Sequence, residues 1–231
     1  MPRERRLYGK NAAATLASLG NRNINYTAPR GRTPDPAEGW HLDTLRHTLA
    51  SEPPGAPVPG GAWEIACRLV RDYQFADPRI LRALFRVDDA LLGRDMLLEG
   101  RFAGLRFDMG VRVTSVVNEI RGSGTHARQV WGWGYRTLEG HLEQGELCYE
   151  VVKHLHAGTV EFLLTGYSRR APLANPLIRT GFRLFGRPTQ RRFYRASTRR
   201  LHRLTHAELH GSPPLTLHPL PPTPTLPIAP T

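Results

Sequence analysis

The chain of 231 residues has little cysteine, little lysine and no long apolar run. Cys67 and Cys148 are too few for a disulfide framework, and they are predicted to be small apolar residues in a reducing compartment. No segment approaches the ~20 consecutive apolar residues of a membrane-spanning helix. The basic N-terminus also has no apolar stretch of signal-peptide length. These absences argue against a disulfide-stabilised secreted domain and favour a cytoplasmic protein.

Positive charge is abundant instead, with a formal net charge of +12. Such a charge favours anionic partners. Of the 32 basic residues only Lys10 and Lys153 are lysine, and the other 30 are arginine. Together with abundant Gly, Pro and Ala, this imbalance is typical of a GC-rich genome, so the charge alone is weak evidence for a nucleic-acid or membrane partner.

Proline and glycine divide the chain into three parts. Residues 1–60 are weakly periodic and are predicted to be an irregular segment, in which Trp40–His47 is a short strand or a turn. Residues 61–207 are predicted to form one α+β domain. Residues 208–231 contain eight prolines and are predicted to be a disordered tail with polyproline II character.

Two short helices are expected before any sheet. Ile65, Leu69 and Tyr73 recur every four residues, which predicts an amphipathic helix over 62–73. Asp77-Pro78 has the form of an N-cap followed by proline, which predicts a second helix over 78–85.

From Arg94 onward the apolar period becomes two, which indicates strands. Short connections, such as Ala157-Gly158, join successive strands and favour an antiparallel meander. Five strands are predicted, at Asp95–Phe102, Phe107–Asn118, Gln129–Leu138, Glu146–Leu155 and Thr159–Ser168.

A long amphipathic helix is predicted from Asn175 to about Ala207, with a kink or break near Phe185-Gly186 because Pro188 lies inside it. A curved antiparallel sheet that buries one face needs such a helix as its cover. The fold class is therefore expected to be α+β, with short helices before a sheet that packs on a C-terminal helix.

The third strand contains alternating aromatic residues and glycines. Trp131, Trp133 and Tyr135 share one face, whereas Arg136 lies on the other, so the aromatic face is predicted to point inward towards the helix. The intervening glycines are expected to let the strand bend.

Three stretches of this region, VWGWGYRTLEGHLEQGELCYEV, GYSRRAPLANPLIRTGFRLFG and QRRFYRASTRR, resemble the DUF1990 family of uncharacterised bacterial and plant proteins. The resemblance covers roughly residues 21–207. It implies a helix-grip, START-like fold, and it supplies no activity and no catalytic residues.

Acid–base or metal chemistry is one hypothesis for the loop LEGHLEQGE, in which Glu139, His141, Glu143 and Glu146 lie close together. The alternative is a polar hairpin loop shaped by glycines. Glu139 with His141 would make a hydrolase-like centre, but their spacing matches no motif of known mechanism.

Other polar pairs are weaker candidates. The pairs His154/His156 and His202/His206 have spacings that suit a metal but lack a third ligand, and no metal is expected. Asp95 and Glu99 are predicted to pair with an arginine such as Arg112 across a hairpin. No cofactor is expected, because no complete G-x-G-x-x-G or G-x-S-x-G motif occurs.

Three hypotheses for function remain, and no catalytic residue is assigned. The preferred one is a binding module for a small apolar or amphipathic ligand between sheet and helix, although the same aromatic stripe also suits a filled core. The second is an interaction protein whose arginine-rich helix contacts nucleic acid or an anionic membrane. The third is the hydrolase-like enzyme. The residues predicted to contact the ligand are Trp131, Trp133, Tyr135, His141, Phe162 and Phe182.

Overall fold

The computed structural model of the protein describes residues 12–27, 34–102, 105–172, 176–220 and 223–230, and in the long C-terminal helix it describes side chains from residue 186 onward. Three α-helices lie in these ranges: α1 (Ala12–Ser18), α2 (Ala62–Arg71) and α3 (Pro176–Leu209). The strands are β1 (His41–Ser51), β2 (Leu81–Phe85), β3 (Asp95–Phe102), β4 (Leu105–Arg121), β5 (Arg128–Thr137), β6 (Glu143–His154), β7 (Thr159–Arg170), β8 (His218–Leu220) and β9 (Thr223–Ala229).

In the part of the chain that the structure describes, the nine strands form one antiparallel sheet in the order β1-β7-β6-β5-β4-β3-β2-β9-β8. The strands from β3 to β7 follow one another as a meander, with each paired to the next. The long helix α3 follows the meander and contacts α2 and β1. The predicted α+β class, with a helix-grip arrangement of sheet and C-terminal helix, is therefore confirmed.

The face of the sheet that packs on α2 and α3, the inner face, contains the main core. Helix α2 turns Ala66, Leu69 and Val70 towards the sheet, and each of them is buried. Its arginines lie away from this stripe, as the four-residue period predicts. From α3, Phe193 and Leu201 complete the contact.

Aromatic side chains of β5 project onto this inner face as predicted. Trp133 and Tyr135 are buried, and Arg136 points to the opposite face, where it contacts Glu146. Gly132 lies where the backbone of β6 comes close, since a Cβ there would sit 2.2 Å from the carbonyl oxygen of Tyr149. A larger residue would therefore push β5 and β6 apart. The close approach of these two strands requires glycine at position 132.

The opposite, outer face is covered in part by the N-terminal segment. Leu16 of α1 and Leu19 pack with Leu97, Leu138 and residues of β9 in a second apolar cluster. Beside this cluster, Arg112 donates to both carboxylate oxygens of Asp95, at 2.7 and 3.0 Å. The predicted cross-strand pair is thus confirmed on the outer face, whereas Glu99 pairs with Arg101.

The helix predicted over 78–85 is wrong, because this segment makes one turn and then continues as β2. The Asp77 carboxylate accepts from the Arg79 backbone N–H at 2.9 Å, which closes the turn. Residues from Leu81 onward then pair with β3. Both faces of β2 are covered by other residues, so its apolar residues do not alternate with polar ones. In the sequence such a short apolar run cannot be distinguished from a short helix.

The segments before and after the predicted domain contribute strands to the sheet: β1 forms where the sequence predicts a short strand or a turn at Trp40–His47, whereas β9 differs from the predicted disordered tail. Strand β1 lies at one edge and pairs with β7 from His41 to Ser51. Near the other edge β9 lies between β2 and the edge strand β8, and its Leu226 is 2% exposed. Its prolines are tolerated because β9 has few ladder positions with β2.

Helix α3 continues through Pro188 as one element of 34 residues, so of the predicted kink or break the break is wrong, and the kink stays a prediction. Proline removes one backbone hydrogen bond, and the buried side chains that follow it hold the helix against the sheet. Within the described residues, no helix combines the length and the hydropathy of a membrane span.

Candidate functional site

A group of polar side chains lies at one end of the inner face, where β6 begins. We call it the Glu143 cluster, and it consists of Asp43, Glu143, Ser168, Arg187 and Gln190. These residues come from β1, β6, β7 and α3. The fold thus brings together groups that are up to about 150 positions apart in the sequence.

Gln190 is the centre of this cluster. Its side-chain amide donates to Glu143 Oε2 at 3.3 Å and to Ser168 Oγ at 3.1 Å. Its amide oxygen accepts from Arg187 Nη1 at 2.6 Å. One side chain of α3 therefore connects the helix to two strands of the sheet.

Arg187 is held by Asp43 through two hydrogen bonds. The Nη2 atom donates to Asp43 Oδ1 at 2.6 Å, and Nη1 donates to Oδ2. This bidentate contact neutralises the guanidinium group and fixes its plane. Consequently the cluster contains one fully paired cation and one further carboxyl group, that of Glu143.

The Glu143 carboxyl group is in an unusual electrostatic state. Burial raises its pKa from 4.5 to about 7, Arg187 acts in the opposite direction, and Asp43 adds to the increase. At neutral pH the group is therefore present in protonated and ionised forms in similar amounts. In the protonated form it donates a hydrogen bond, and in the ionised form it only accepts.

His141 fixes the loop that carries Glu143. Its Nδ1 atom accepts from the Glu143 backbone N–H at 2.9 Å, and the imidazole is 7% exposed. Burial lowers the pKa of His141 to about 4, so the ring is neutral at pH 7 with its proton on Nε2. The His141 ring therefore serves as the hydrogen-bond acceptor for the backbone N–H of Glu143.

Aromatic residues lie next to the cluster along the inner face. Trp133, Tyr149 and Phe162 are each at most 2% exposed, and they contact Tyr73 and Phe75 with ring centroids 4.6 to 6.3 Å apart. The Trp133 indole N–H donates to the Val70 carbonyl oxygen at 3.2 Å. This central part of the inner face is therefore filled by packed side chains.

The residues predicted to contact a ligand thus occupy different places. Trp133 and Phe162 belong to the packed aromatic group, whereas Tyr135 lies between that group and Glu143. Trp131 is half-buried on β5 and pairs with Val151, at the opposite end of the inner face from Glu143. The Phe182 side chain lies outside the described residues.

Glu139 and His141 do not meet in the structure. Glu139 is exposed and accepts from the Asn23 backbone N–H at 3.2 Å. Glu146 lies on the outer face, where Arg136 donates to it at 2.6 Å and Tyr167 at 3.0 Å. Glu143 is therefore the acidic residue of this loop that points to the inner face.

The pairs of histidines lie elsewhere. His154 contacts Glu161 at 2.8 Å on the outer face, and the rings of His202 and His206 are 6.1 Å apart on α3. Within the described ranges, no group of three or more His, Cys, Asp or Glu side chains is arranged to hold a metal ion.

Sequence reasoning missed Asp43, Ser168, Arg187 and Gln190. Asp43 lies two positions before Leu45 and Ser168 lies four positions after Leu164, and this shared strand face is the one signal that indicates a core-facing side. For Gln190 and Arg187 the sequence holds no comparable signal, because their partners lie on distant strands.

Solved structures with similar architecture span most of the chain at low identity. The ZhuI aromatase/cyclase from a Streptomyces species aligns at 12% identity, with 76% of this chain and 100% of that chain covered and a TM-score of 0.46. A point mutant of norcoclaurine synthase from Thalictrum flavum, in complex with a transition-state analogue, aligns at 11% identity over 74% of this chain and 98% of that chain, with a TM-score of 0.42. At this similarity neither protein indicates a ligand or reaction for this chain.

No curated protein matches the sequence. A family model does match residues 23–200, and its description is a domain of unknown function, DUF1990. This range includes the WGWGYRTLEGHLEQGE stretch, all strands from β1 to β7, and the first 25 residues of α3. With most of its length matched by one family model, the chain belongs to the DUF1990 family.

Proposed function

We propose that the chain is a binding module for a small amphipathic ligand that lies between the inner face of the sheet and α3, with its polar end at the Glu143 cluster. The observation that carries this proposal is the partly buried Glu143 carboxyl group on the inner face, which accepts a hydrogen bond from Gln190 next to buried aromatic side chains and whose pKa is raised by burial. Burial of an ionisable group is unfavourable, and ionisable groups with strongly shifted pKa values are concentrated at functional sites, which supports a ligand contact for Glu143.

The charges of the cluster favour an uncharged polar head on the ligand. Asp43 already neutralises Arg187, so an anionic head would meet a paired cation beside the Glu143 carboxyl group. A hydroxyl or carbonyl oxygen suits the site better, because protonated Glu143 and the Gln190 amide both donate hydrogen bonds.

The apolar part of the ligand would extend along Tyr135 towards the packed aromatic group. Under this proposal Trp133 and Phe162 form the floor of the site, and His141 acts through the loop backbone. Trp131 would contact only a ligand long enough to reach the far end of β5.

Prodan, an uncharged fluorescent naphthalene with a carbonyl group, provides a direct test. We expect a blue shift on binding, and an affinity that falls about tenfold between pH 6 and pH 8.5. The reason is that Glu143 loses its proton, and with it one donated hydrogen bond worth about 1–1.5 kcal/mol.

Three variants separate this role from a nonspecific apolar contact. Glu143→Gln keeps an uncharged donor, so binding should persist and lose its pH dependence, whereas Glu143→Ala should bind weakly at every pH. Glu139→Gln is the matched control, because it changes an exposed carboxyl group of the same loop. An affinity for prodan that is the same in wild type and Glu143→Ala would contradict the proposal.

A further inference from the structure

One face of α3 displays arginines that have no acidic partner. We call them the arginine stripe, and all five are exposed: Arg191, Arg192, Arg195, Arg199 and Arg203. At 3.6 residues per turn these positions fall within an arc of about 120° over about 18 Å of helix. The stripe is therefore a single surface of five positive charges.

The stripe differs from the described arginines that form ion pairs, and it differs from scattered unpaired arginines such as Arg106 and Arg170 because its five members share one face of a helix. Nine described arginines form ion pairs with carboxylates, whereas none of the five contacts a carboxylate in the described part of the chain. The paired residues are Arg46, Arg68, Arg71, Arg79, Arg101, Arg112, Arg121, Arg136 and Arg187. A compositional preference for arginine over lysine does not explain why five unpaired arginines share one face of α3, since that preference applies to every position alike.

From this arrangement we infer that the arginine stripe binds the phosphate backbone of duplex nucleic acid. Five unpaired guanidinium groups on a rigid helix match a row of phosphates in charge, and arginine donates to phosphate oxygens in a bidentate way. The site is distinct from the Glu143 cluster, since α3 turns Arg187 and Gln190 towards the sheet and the stripe towards solvent.

Two other anionic partners fit the stripe less well. A helix that lies in a membrane interface buries large apolar side chains, but the exposed residues between Arg191 and Arg203 are all arginine. Single-stranded nucleic acid is held largely by bases that stack on aromatic rings, and the two aromatic residues here, Phe193 and Tyr194, are buried in the core.

Fluorescence anisotropy with a labelled duplex of about 24 base pairs, over about 50 to 200 mM salt, tests the inference. With five phosphates neutralised, the logarithm of the binding constant should fall against the logarithm of salt concentration with a slope of about −4.5. The triple variant Arg191→Gln/Arg195→Gln/Arg199→Gln should reduce this slope by about 2.7.

The matched control is Arg46→Gln/Arg71→Gln/Arg79→Gln, which removes three exposed arginine charges from other surfaces. This control should leave the slope unchanged, and circular dichroism should show both triple variants folded. Absence of duplex binding at about 50 mM salt would overturn the inference, and so would an equal slope in both triple variants. Tighter binding to the single strand, or to phosphatidylserine vesicles, would overturn it in favour of those partners.

Discussion

At the scale of single residues, His141 in the loop before β6 and Glu143 at the start of β6 have pKa values that shift in opposite directions. Burial raises the pKa of Glu143 from 4.5 to about 7 and lowers that of His141 from 6.5 to about 4. The folded state therefore loses stability through Glu143 as the pH rises from about 4.5 to 7. It loses stability through His141 as the pH falls from about 6.5 to 4.

Replacing Glu143 by glutamine should reveal how much the ionisation of Glu143 lowers the stability of the folded state. The variant no longer buries a carboxylate at high pH, so its free energy of unfolding should exceed that of the wild type by about 2–3 kcal/mol at pH 8 and by much less at pH 5. Urea unfolding at several pH values measures the difference. A gain that is the same at pH 5 and pH 8 would show that the carboxyl group ionises normally.

His141→Asn provides the reciprocal measurement, because the asparagine side-chain oxygen can replace Nδ1 as the acceptor for the Glu143 N–H. This variant should lose the decline in stability between pH 6.5 and 4. Glu139→Gln serves as the neutral control, since Glu139 is exposed.

The sequence pointed to this loop and offered Glu139 with His141 as one hypothesis, but it did not single out Glu143. Glu139 and Glu143 lie two positions before and after His141, so the sequence pattern of a carboxylate near a histidine fits both. Only the strand register places Glu143 on the inner face and Glu139 at the surface. The partners of Glu143 were unpredictable for a related reason: Gln190 reaches it through the packing of α3 on the sheet, which no local pattern encodes.

At the scale of elements, the C-terminal strand β9 departs most from the sequence prediction. Eight prolines in the last 24 residues favour an unstructured tail. In the structure, Leu226 packs against Leu16, Leu19 and Leu84, so tertiary burial outweighs the local preference.

Leu226→Ala tests this strand. Removing a side chain that is 2% exposed should lower the free energy of unfolding by about 2–4 kcal/mol, from lost apolar burial and the cavity left behind. Leu92→Ala is the matched control, because Leu92 is 59% exposed and should cost less than about 0.5 kcal/mol. Equal denaturation midpoints for the two variants would support a disordered tail instead.

Strands and helices whose apolar residues repeat at a regular spacing were predictable from the sequence. Elements whose structure depends on packing against other parts of the fold were not. Val111, Val113 and the aromatic stripe of β5 identify the meander and its inner face, whereas an irregularity after Val113 turns Ser115 and Val117 to the outer face against the predicted alternation. By contrast, β2 is covered on both faces, so its apolar run LRALF lacks the alternation that distinguishes a strand from a helix.

At the scale of the whole molecule, the sheet contains strands from segments that the amino-acid composition assigns to separate parts of the chain. β1, from the Pro- and Gly-rich first 60 residues, pairs with β7 over most of its length. The buried ion pair of Lys153 and Glu52, at 2.6 Å, ties the following loop to β6. The described N-terminal segment is thus part of the same core.

We therefore expect one cooperative unfolding transition. Tryptophan fluorescence, which reports on Trp133 in the core, and far-ultraviolet circular dichroism should give the same midpoint in urea. A chain that starts at residue 52 lacks β1 and the α1 cover of the outer face, and it should unfold at lower urea concentration or fail to fold. A truncated chain with the wild-type midpoint would instead support an independent domain from residue 61 onward.

The second apolar cluster also affects how the protein emerges from the ribosome. Leu16 and Leu19 are synthesised before the meander, but Leu226 of β9 is added only after the meander and α3. During translation the apolar side chains of α1 and of β3 therefore remain incompletely covered, although the meander can already form. This interval is when the nascent protein is most exposed to aggregation and to chaperones, and it ends when the last strand docks beside β2.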